Sequence, residues 1–266
     1  MRVIGYIDGM NFYEASKNKS WYPAGWCNWS ETMSAYCPNA EVSVRYFTTL
    51  YTGRDRKRID RQTLHLLAMK EVARADIVLG SRRERSLKCP ECGSRLKCAR
   101  VSCGCESDIV EKMTDVNIAL RMFEDAIDGL FDRAYLVSED DDLIPAIDDV
   151  MRRAPDVQVV VLIPPEPETG MAEDFANLEQ TYPGRSVARY LDLRKMKRFP
   201  DDLPRRWNMK LPTHWREDAG ARPPNPGHES ALPAKSTRAG GPMPWYEESK
   251  GFGTKKQRGT GGPGQR

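Results

Sequence analysis

Ala134-Tyr135-Leu136-Val137-Ser138-Glu139-Asp140-Asp141-Asp142-Leu143-Ile144-Pro145 runs from a buried-strand pattern into four consecutive acids and then a helix start. The apolar run is short enough for a strand buried on both faces, as in a parallel sheet. Pro145 falls in the first turn of the helix that follows, where its missing N–H costs nothing. Part of the acidic charge complements a helix N-terminus, but four acids exceed what capping needs. The excess is costly unless solvent or a cation screens it.

The same grammar recurs at the N-terminus, where Val3-Ile4-Gly5-Tyr6-Ile7 ends in Asp8, followed by Gly9, Met10 and Asn11. An Asp at a strand end with Asn three residues on places two oxygen-bearing side chains on one strand-to-helix turn. Gly9 is expected to allow the tight backbone between them. An ordinary Asp-Gly turn with an Asn cap explains the same residues. Asp115, in Lys112-Met113-Thr114-Asp115-Val116-Asn117, stands at the start of an apolar-periodic helix with Thr114 as its expected N-cap. There the plain reading is an acid complementing the helix dipole.

Further strands are expected at Glu41–Tyr51, Asp76–Gly80, Val157–Ile163 and Ser186–Tyr190, and helices at Arg58–Arg74, Thr114–Gly129, Asp141–Arg153 and Ala172–Gln180. The apolar faces read as Ile59, Leu64, Leu67, Ala68 and Val72 in the first helix, and as Val116, Ala119, Leu120, Phe123 and Ile127 in the second. Strands alternating with helices predict an α/β fold with a mostly parallel central sheet between two helical layers. Ligands of such sheets bind outside the carboxyl ends of the strands. Asp8, Asp115, Asp140 and Asp142 therefore converge on one rim, where hard oxygen donors suit Mg²⁺ or Mn²⁺.

These segments together resemble the NYN domain family, a branch of the PIN-like nuclease superfamily. The resemblance rests on Asp8-Gly9-Met10-Asn11, Lys112-Met113-Thr114-Asp115-Val116 and Ser138-Glu139-Asp140-Asp141-Asp142-Leu143-Ile144-Pro145, in that order over roughly residues 2–190. Glu139 stands where the family pattern has glycine, and Asp141 where it has serine. The resemblance implies a PIN-like, Rossmannoid three-layer domain. It implies that Asp8, Asp115, Asp140 and Asp142 hold one or two Mg²⁺ or Mn²⁺ ions, with Asn11 completing the catalytic set. Lys112 and Ser138 would orient ligands or phosphate. The implied reaction is metal-dependent hydrolysis of single-stranded RNA, leaving a 5′-phosphate and a 3′-hydroxyl. A catalytically weak RNA-binding module is the alternative that Glu139 and Asp141 favour, and a small-molecule phosphohydrolase is a second. A phosphate-cradling glycine loop or an Asp-x-Asp nucleophile after the first strand would favour the latter, and the sequence has neither.

Five cysteines crowd into one stretch: Cys89, Cys92, Cys98, Cys103 and Cys105. Cys-x-x-Cys-Gly followed by further thiols reads as a zinc knuckle, four of the five closing a structural tetrahedral site in an insertion at about residues 86–107. Cys27 and Cys37 read as buried thiols. Arg54, Arg56, Lys57 and Arg58 after one strand, and Arg82-Arg83-Glu84-Arg85 after the next, are expected in loops at the acidic rim, where they would hold flanking phosphates of RNA. Phe12, Tyr13, Tyr22 and Trp26 are candidates to stack on unpaired bases.

The 266 residues carry a net charge of +3. Residues 200–266 hold 12 Lys/Arg against 7 Asp/Glu, with ten prolines and ten glycines, leaving 1–199 at −2. The domain is therefore placed at 1–199, and 200–266 is read as a basic, disordered tail suited to a polyanion. No run approaches the ~20 apolar residues of a membrane span, and no signal peptide is evident, so a cytoplasmic location is expected. Protein partners and homo-oligomerisation stay open.

Overall fold

Strand β1 (Arg2–Asp8) is buried from Val3 onward because it runs through the middle of the sheet, with neighbours on both edges. In the computed structural model, described for residues 1–16, 26–53, 55–86, 92, 94, 107–164 and 173–200, β1 leads directly into helix α1 (Gly9–Ser16). Helix α2 (Trp29–Tyr36), strand β2 (Glu41–Thr48), helix α3 (Arg56–Glu71) and strand β3 (Asp76–Leu79) follow. Strands β4 (Ser81–Ser86) and β5 (Ser107–Lys112) come next, then helix α4 (Thr114–Ile127), strand β6 (Arg133–Val137) and helix α5 (Ile144–Arg153). Strand β7 (Gln158–Ile163), helix α6 (Glu173–Thr181) and strand β8 (Ser186–Tyr190) complete the order.

Six of the strands form one all-parallel sheet in the order β3-β2-β1-β6-β7-β8. The chain winds outward from β1 through β2 and β3, then restarts beside β1 at β6 and winds the other way. The β1–β6 junction is thus the topological switch point, where crossovers on opposite faces leave a crevice at the strand ends. The register pairs Ile7 with Val137, which puts Asp8 and Ser138 side by side just past the last paired residues. The expected α/β architecture with helices flanking a parallel sheet is the observed one.

The buried helix faces differ from those expected. In α4 the residues packed inward are Thr114, Ile118, Met122, Asp125 and Ala126, whereas Val116 and Leu120 are 56% and 57% exposed and Ile127 is exposed as well. Ala119 and Phe123 of the expected face are partly buried and pack against the core, so the buried face is rotated from the expected one rather than reversed. A buried carboxylate contributes to the rotation. Asp125 is 2% exposed, and both its oxygens accept from Arg45 of β2 (Nε at 2.6 Å, Nη2 at 2.7 Å) while Oδ2 also accepts from the Tyr6 hydroxyl at 2.7 Å. Periodicity counts Asp125 as polar and so misses its place on the buried face. Likewise α3 buries His65, Leu66, Ala68 and Met69, and of the expected face only Ala68 is buried.

Two local expectations also change. Thr114 is the first residue of α4 and its hydroxyl bonds the Glu111 carboxylate, while Met113 occupies the cap position at φ 81° without a side-chain cap. Arg82 and Arg83 lie not in a loop but in β4, which pairs antiparallel with β5, Ser81 opposite Lys112. The expected zinc-binding stretch joins β4 to β5 and, apart from Cys92 and Ser94, lies outside the described residues, as does the tail from 201 onward. Cys27 and Cys37 are buried thiols, as expected. The chain returns after β8 to lay Lys197–Phe199 against Trp26–Asn28 through backbone hydrogen bonds. Among the described residues, no helix is long and apolar enough to cross a membrane.

Candidate metal centre

Asp8 is the innermost group of the rim, 3% exposed. As the residue before α1, it caps that helix: Oδ1 accepts from Asn11 N–H at 3.0 Å. Its other oxygen, Oδ2, accepts from the Ser138 hydroxyl at 3.1 Å. Ser138 Oγ in turn accepts from Asp140 N–H at 3.1 Å, and Asp140 Oδ1 accepts from Asp142 N–H at 3.0 Å. Asn11 Oδ1 closes the circuit by accepting from Glu139 N–H at 3.1 Å. The two segments, 8–11 and 138–142, are thereby laced together across the switch point. Capping and site-building use the same carboxylates, since each caps with one lone pair and keeps others available.

Gly9 contributes a close approach rather than a turn. It is the first residue of α1, and a Cβ there would lie 2.5 Å from Tyr46 Cζ and 2.8 Å from the Phe47 carbonyl oxygen. Only a residue without a side chain lets α1 start directly beneath β2.

Burial, the largest influence, pushes the Asp8 carboxyl from 3.8 up to about 7, against the Asn11 N–H bond that favours the charged form. The charges of Asp115 and Glu111 push it the same way. Asp115 is raised by desolvation first and then by Asp140 and Asp142, with Lys112 opposing. Glu111 is raised chiefly by burial, and Asp115 adds to it. Asp140, Asp141 and Asp142 each present an oxygen within 4.8 Å of the others. Asp8, Asn11, Asp140 and Asp142 thus share one hydrogen-bonded circuit, and Asp115 is linked to it through charge alone. The donor set is all oxygen, which fits a hard divalent cation and not a thiolate-seeking one.

Glu111 joins the cluster without having been singled out from sequence. Its signal is faint, an acid four residues before Asp115 at the end of a strand whose existence only the pairing with β4 reveals. The basic residues distribute unevenly. Arg56 is exposed and ion-paired with Asp60, Lys57 is exposed, and Arg54 lies outside the described residues. Arg58, Arg61 and Arg82 instead line a cleft beside Asp8. Of the aromatic candidates, Phe12 is buried edge-on against Trp29 at 4.8 Å and Trp26 is fully buried, so both are core; Tyr13 borders the cleft, and Tyr22 is outside the described residues.

A six-stranded parallel sheet with a carboxylate cluster at its switch point defines a Rossmann-like α/β protein with an acidic, cation-suited rim. The NYN domain model matches residues 6–182, more than half of the chain, and the protein belongs to the NYN domain family, a PIN-like nuclease family. One stretch of 56 residues is 39% identical to 6-hydroxy-3-succinoylpyridine 3-monooxygenase HspA of Pseudomonas putida, covering 21% of this chain and 18% of that protein. A solved structure of a protein of unknown function from Vibrio parahaemolyticus is 20% identical, with a TM-score of 0.41 over 72% of this chain and 93% of that one.

Proposed function

We propose that the protein is a metal-dependent ribonuclease acting on single-stranded RNA. The observation that carries this reading is the lacing of Asp8 to the 138–142 segment through Ser138 and Asn11, with Asp115 and Glu111 close enough to raise its carboxyl. Carboxylates gathered this densely repel one another, and a divalent cation is the ligand that relieves the repulsion. Asp8, Asp115, Asp140 and Asp142 are the residues that would hold Mg²⁺ or Mn²⁺, with Asp141 and Glu111 adding negative charge. When bound, the cation lowers the pKa of water and neutralises phosphodiester charge. Ser138 and Asn11 keep the carboxylates in place before substrate arrives, which is the preorganisation such chemistry needs. Lys112, whose charge opposes the upward shift of Asp115, is the candidate to meet a phosphate oxygen. Arg54, Arg56 and Lys57 remain candidates for contacts to more distant phosphates.

A second reading, an RNA-binding module with little or no catalysis, is favoured by Glu139 and Asp141. They bring extra negative charge toward the position a scissile phosphate would take. The cysteine-rich stretch between β4 and β5 supports a structural Zn²⁺ site on four of its five thiols by its spacing alone, a reading in keeping with a cytoplasmic location.

The deciding experiment incubates the protein with labelled single-stranded and structured RNAs in Mn²⁺ or Mg²⁺. A variant carrying Asp140→Asn and Asp142→Asn serves as control. Cation-dependent cleavage that disappears in the variant is expected. RNA binding by both proteins without cleavage would make this a binding module.

A further inference from the structure

Immediately beside Asp8 lies a cleft of about 120 Å³, bordered by Tyr13, Tyr51, Arg58, Arg61, His65 and Arg82. Gly9 and Met10, the two residues after Asp8, form part of its wall, so cleft and carboxylate share the first turn of α1. Arg82 links the two from the other side, since its charge acts on Glu111.

Three guanidiniums meet here, and among the described residues none of them forms an ion pair with a carboxylate; the exposed Glu14 is the acid on the wall. Arg58 lies 4.8 Å from the Tyr51 ring centroid and 5.8 Å from that of Tyr13, and its Nη2 donates to the Tyr13 hydroxyl at 3.4 Å. Arg82 lies 5.7 Å from the Tyr51 centroid, and its Nε donates to Thr49 Oγ1 at 3.0 Å. Gln62 pins the loop that carries Tyr51, accepting from Tyr51 N–H at 2.6 Å and donating to the Thr49 carbonyl at 2.7 Å. The aromatic rings and cations are therefore held in place before any ligand arrives, which lowers the ordering cost of binding.

His65 adds an incomplete hydrogen bond. It is 9% exposed and its Nε2 has no partner. That atom is shielded from the cleft by the surrounding rings, so His65 shapes the wall and takes no part in binding. Unpaired guanidiniums with phenol rings form the chemistry that takes a phosphate together with an aromatic base.

We propose that this cleft binds the nucleotide adjoining the scissile phosphate of a single-stranded RNA, Arg58, Arg61 and Arg82 taking its phosphate and Tyr13 and Tyr51 its base. The proposal rests on the ribonuclease reading for the direction in which the strand leaves the carboxylates. A free nucleotide offers the same chemistry, and the two sources separate experimentally.

The test is equilibrium binding of a fluorescent single-stranded RNA to the full chain in EDTA, at several salt concentrations, alongside Mn²⁺-dependent cleavage of the same RNA. Tyr51→Ala is expected to weaken binding about tenfold. Arg58→Gln is expected to weaken it similarly and to reduce the salt slope by about one. Tyr51→Phe and Arg58→Lys, which keep ring and charge, should retain more of the affinity and confirm that loss is not unfolding. Unchanged affinity and unchanged KM in Tyr51→Ala and Arg58→Gln overturn the cleft proposal while leaving the nuclease reading intact. Binding lost in these variants, with no cleavage by the unsubstituted protein, supports the cleft and defeats only the nuclease reading. A nucleoside monophosphate that binds as tightly as the RNA and loses affinity in Tyr51→Ala would overturn the RNA assignment.

Discussion

The Ser138 hydroxyl donates to Asp8 Oδ2 at 3.1 Å across 130 residues of sequence, and the parallel pairing of β1 with β6 is what makes them neighbours. Ser138 is fully buried and also accepts from Asp140 N–H, so one oxygen holds both halves of the acidic rim. Ser138→Ala strands the part-buried Asp140 N–H and removes a donor from a buried carboxylate, a loss of about 1–3 kcal/mol. Urea unfolding should show this loss, and a Mn²⁺ titration should show weaker binding. A variant that unfolds at the same urea concentration and binds Mn²⁺ unchanged would show that Ser138 is a bystander.

Burial gives the Asp8 carboxyl a value of about 7 in the cation-free protein, against 3.8 ordinarily. Between those two values the folded protein keeps a proton that the unfolded chain releases. Stability from this group is complete below pH 4 and is lost as pH rises through 7, a change of roughly 2–4 kcal/mol. Asp115 and Glu111, also raised, act in the same direction. Cation-free protein should therefore melt at higher temperature at pH 5.5 than at pH 8, and Asp8→Asn should flatten the difference. Divalent-cation binding near pH 6.5 should release close to one proton, readable by calorimetry in buffers of different ionisation enthalpy. Release that is absent at pH 6.5 would argue against Asp8 as a ligand.

The Asp125–Arg45–Tyr6 network fastens α4 to β1 and β2 and so sets where Asp115 stands. Asp125→Ala leaves the half-buried Arg45 guanidinium without its main partner. Loss of one member of a buried pair costs about 3–5 kcal/mol. Arg45 also reaches the exposed Asp76 at 3.0 Å, a contact that recovers part of the loss. Thermal unfolding of Asp125→Ala should fall well below that of a control such as Asp128→Ala on the exposed side. Equal melting of the two would show that the network contributes little.

The two faces of α4 make opposite predictions. Met122, fully buried, should cost about 2–5 kcal/mol when cut to alanine. Leu120→Ala, on the exposed stripe, should stay within about 0.5 kcal/mol of the unsubstituted protein. Denaturant midpoints for the pair decide which face is core. A larger loss for Leu120→Ala would reverse the orientation of the helix described above.

Much of the architecture was legible in local patterns because the parallel sheet leaves a strong trace. Val3–Ile7, Ala134–Val137 and Val159–Ile163 are apolar throughout because their strands are buried on both sides. Strand-end acids were legible for the same reason, since a charged residue after such a run has to sit at a rim. Helix orientation was legible only in part, because periodicity counts the buried, ion-paired Asp125 as polar. Strands β4 and β5 escaped notice because Ser81-Arg82-Arg83 has no apolar alternation; their pairing, not their composition, makes them strands.

The chain by itself determined the six strands of the parallel sheet, helices α3 to α6, and the strand-end aspartates Asp8 and Asp140. These follow from local hydrophobicity and from where charge interrupts it. Only the tertiary structure decided which groups meet. The β1–β6 register set Ser138 against Asp8, the β4–β5 pairing brought Glu111 and Arg82 to the rim, and α3 turned Arg58 and Arg61 inward beside Tyr51. Such contacts depend on register and helix rotation, which are set by packing among residues far apart in sequence.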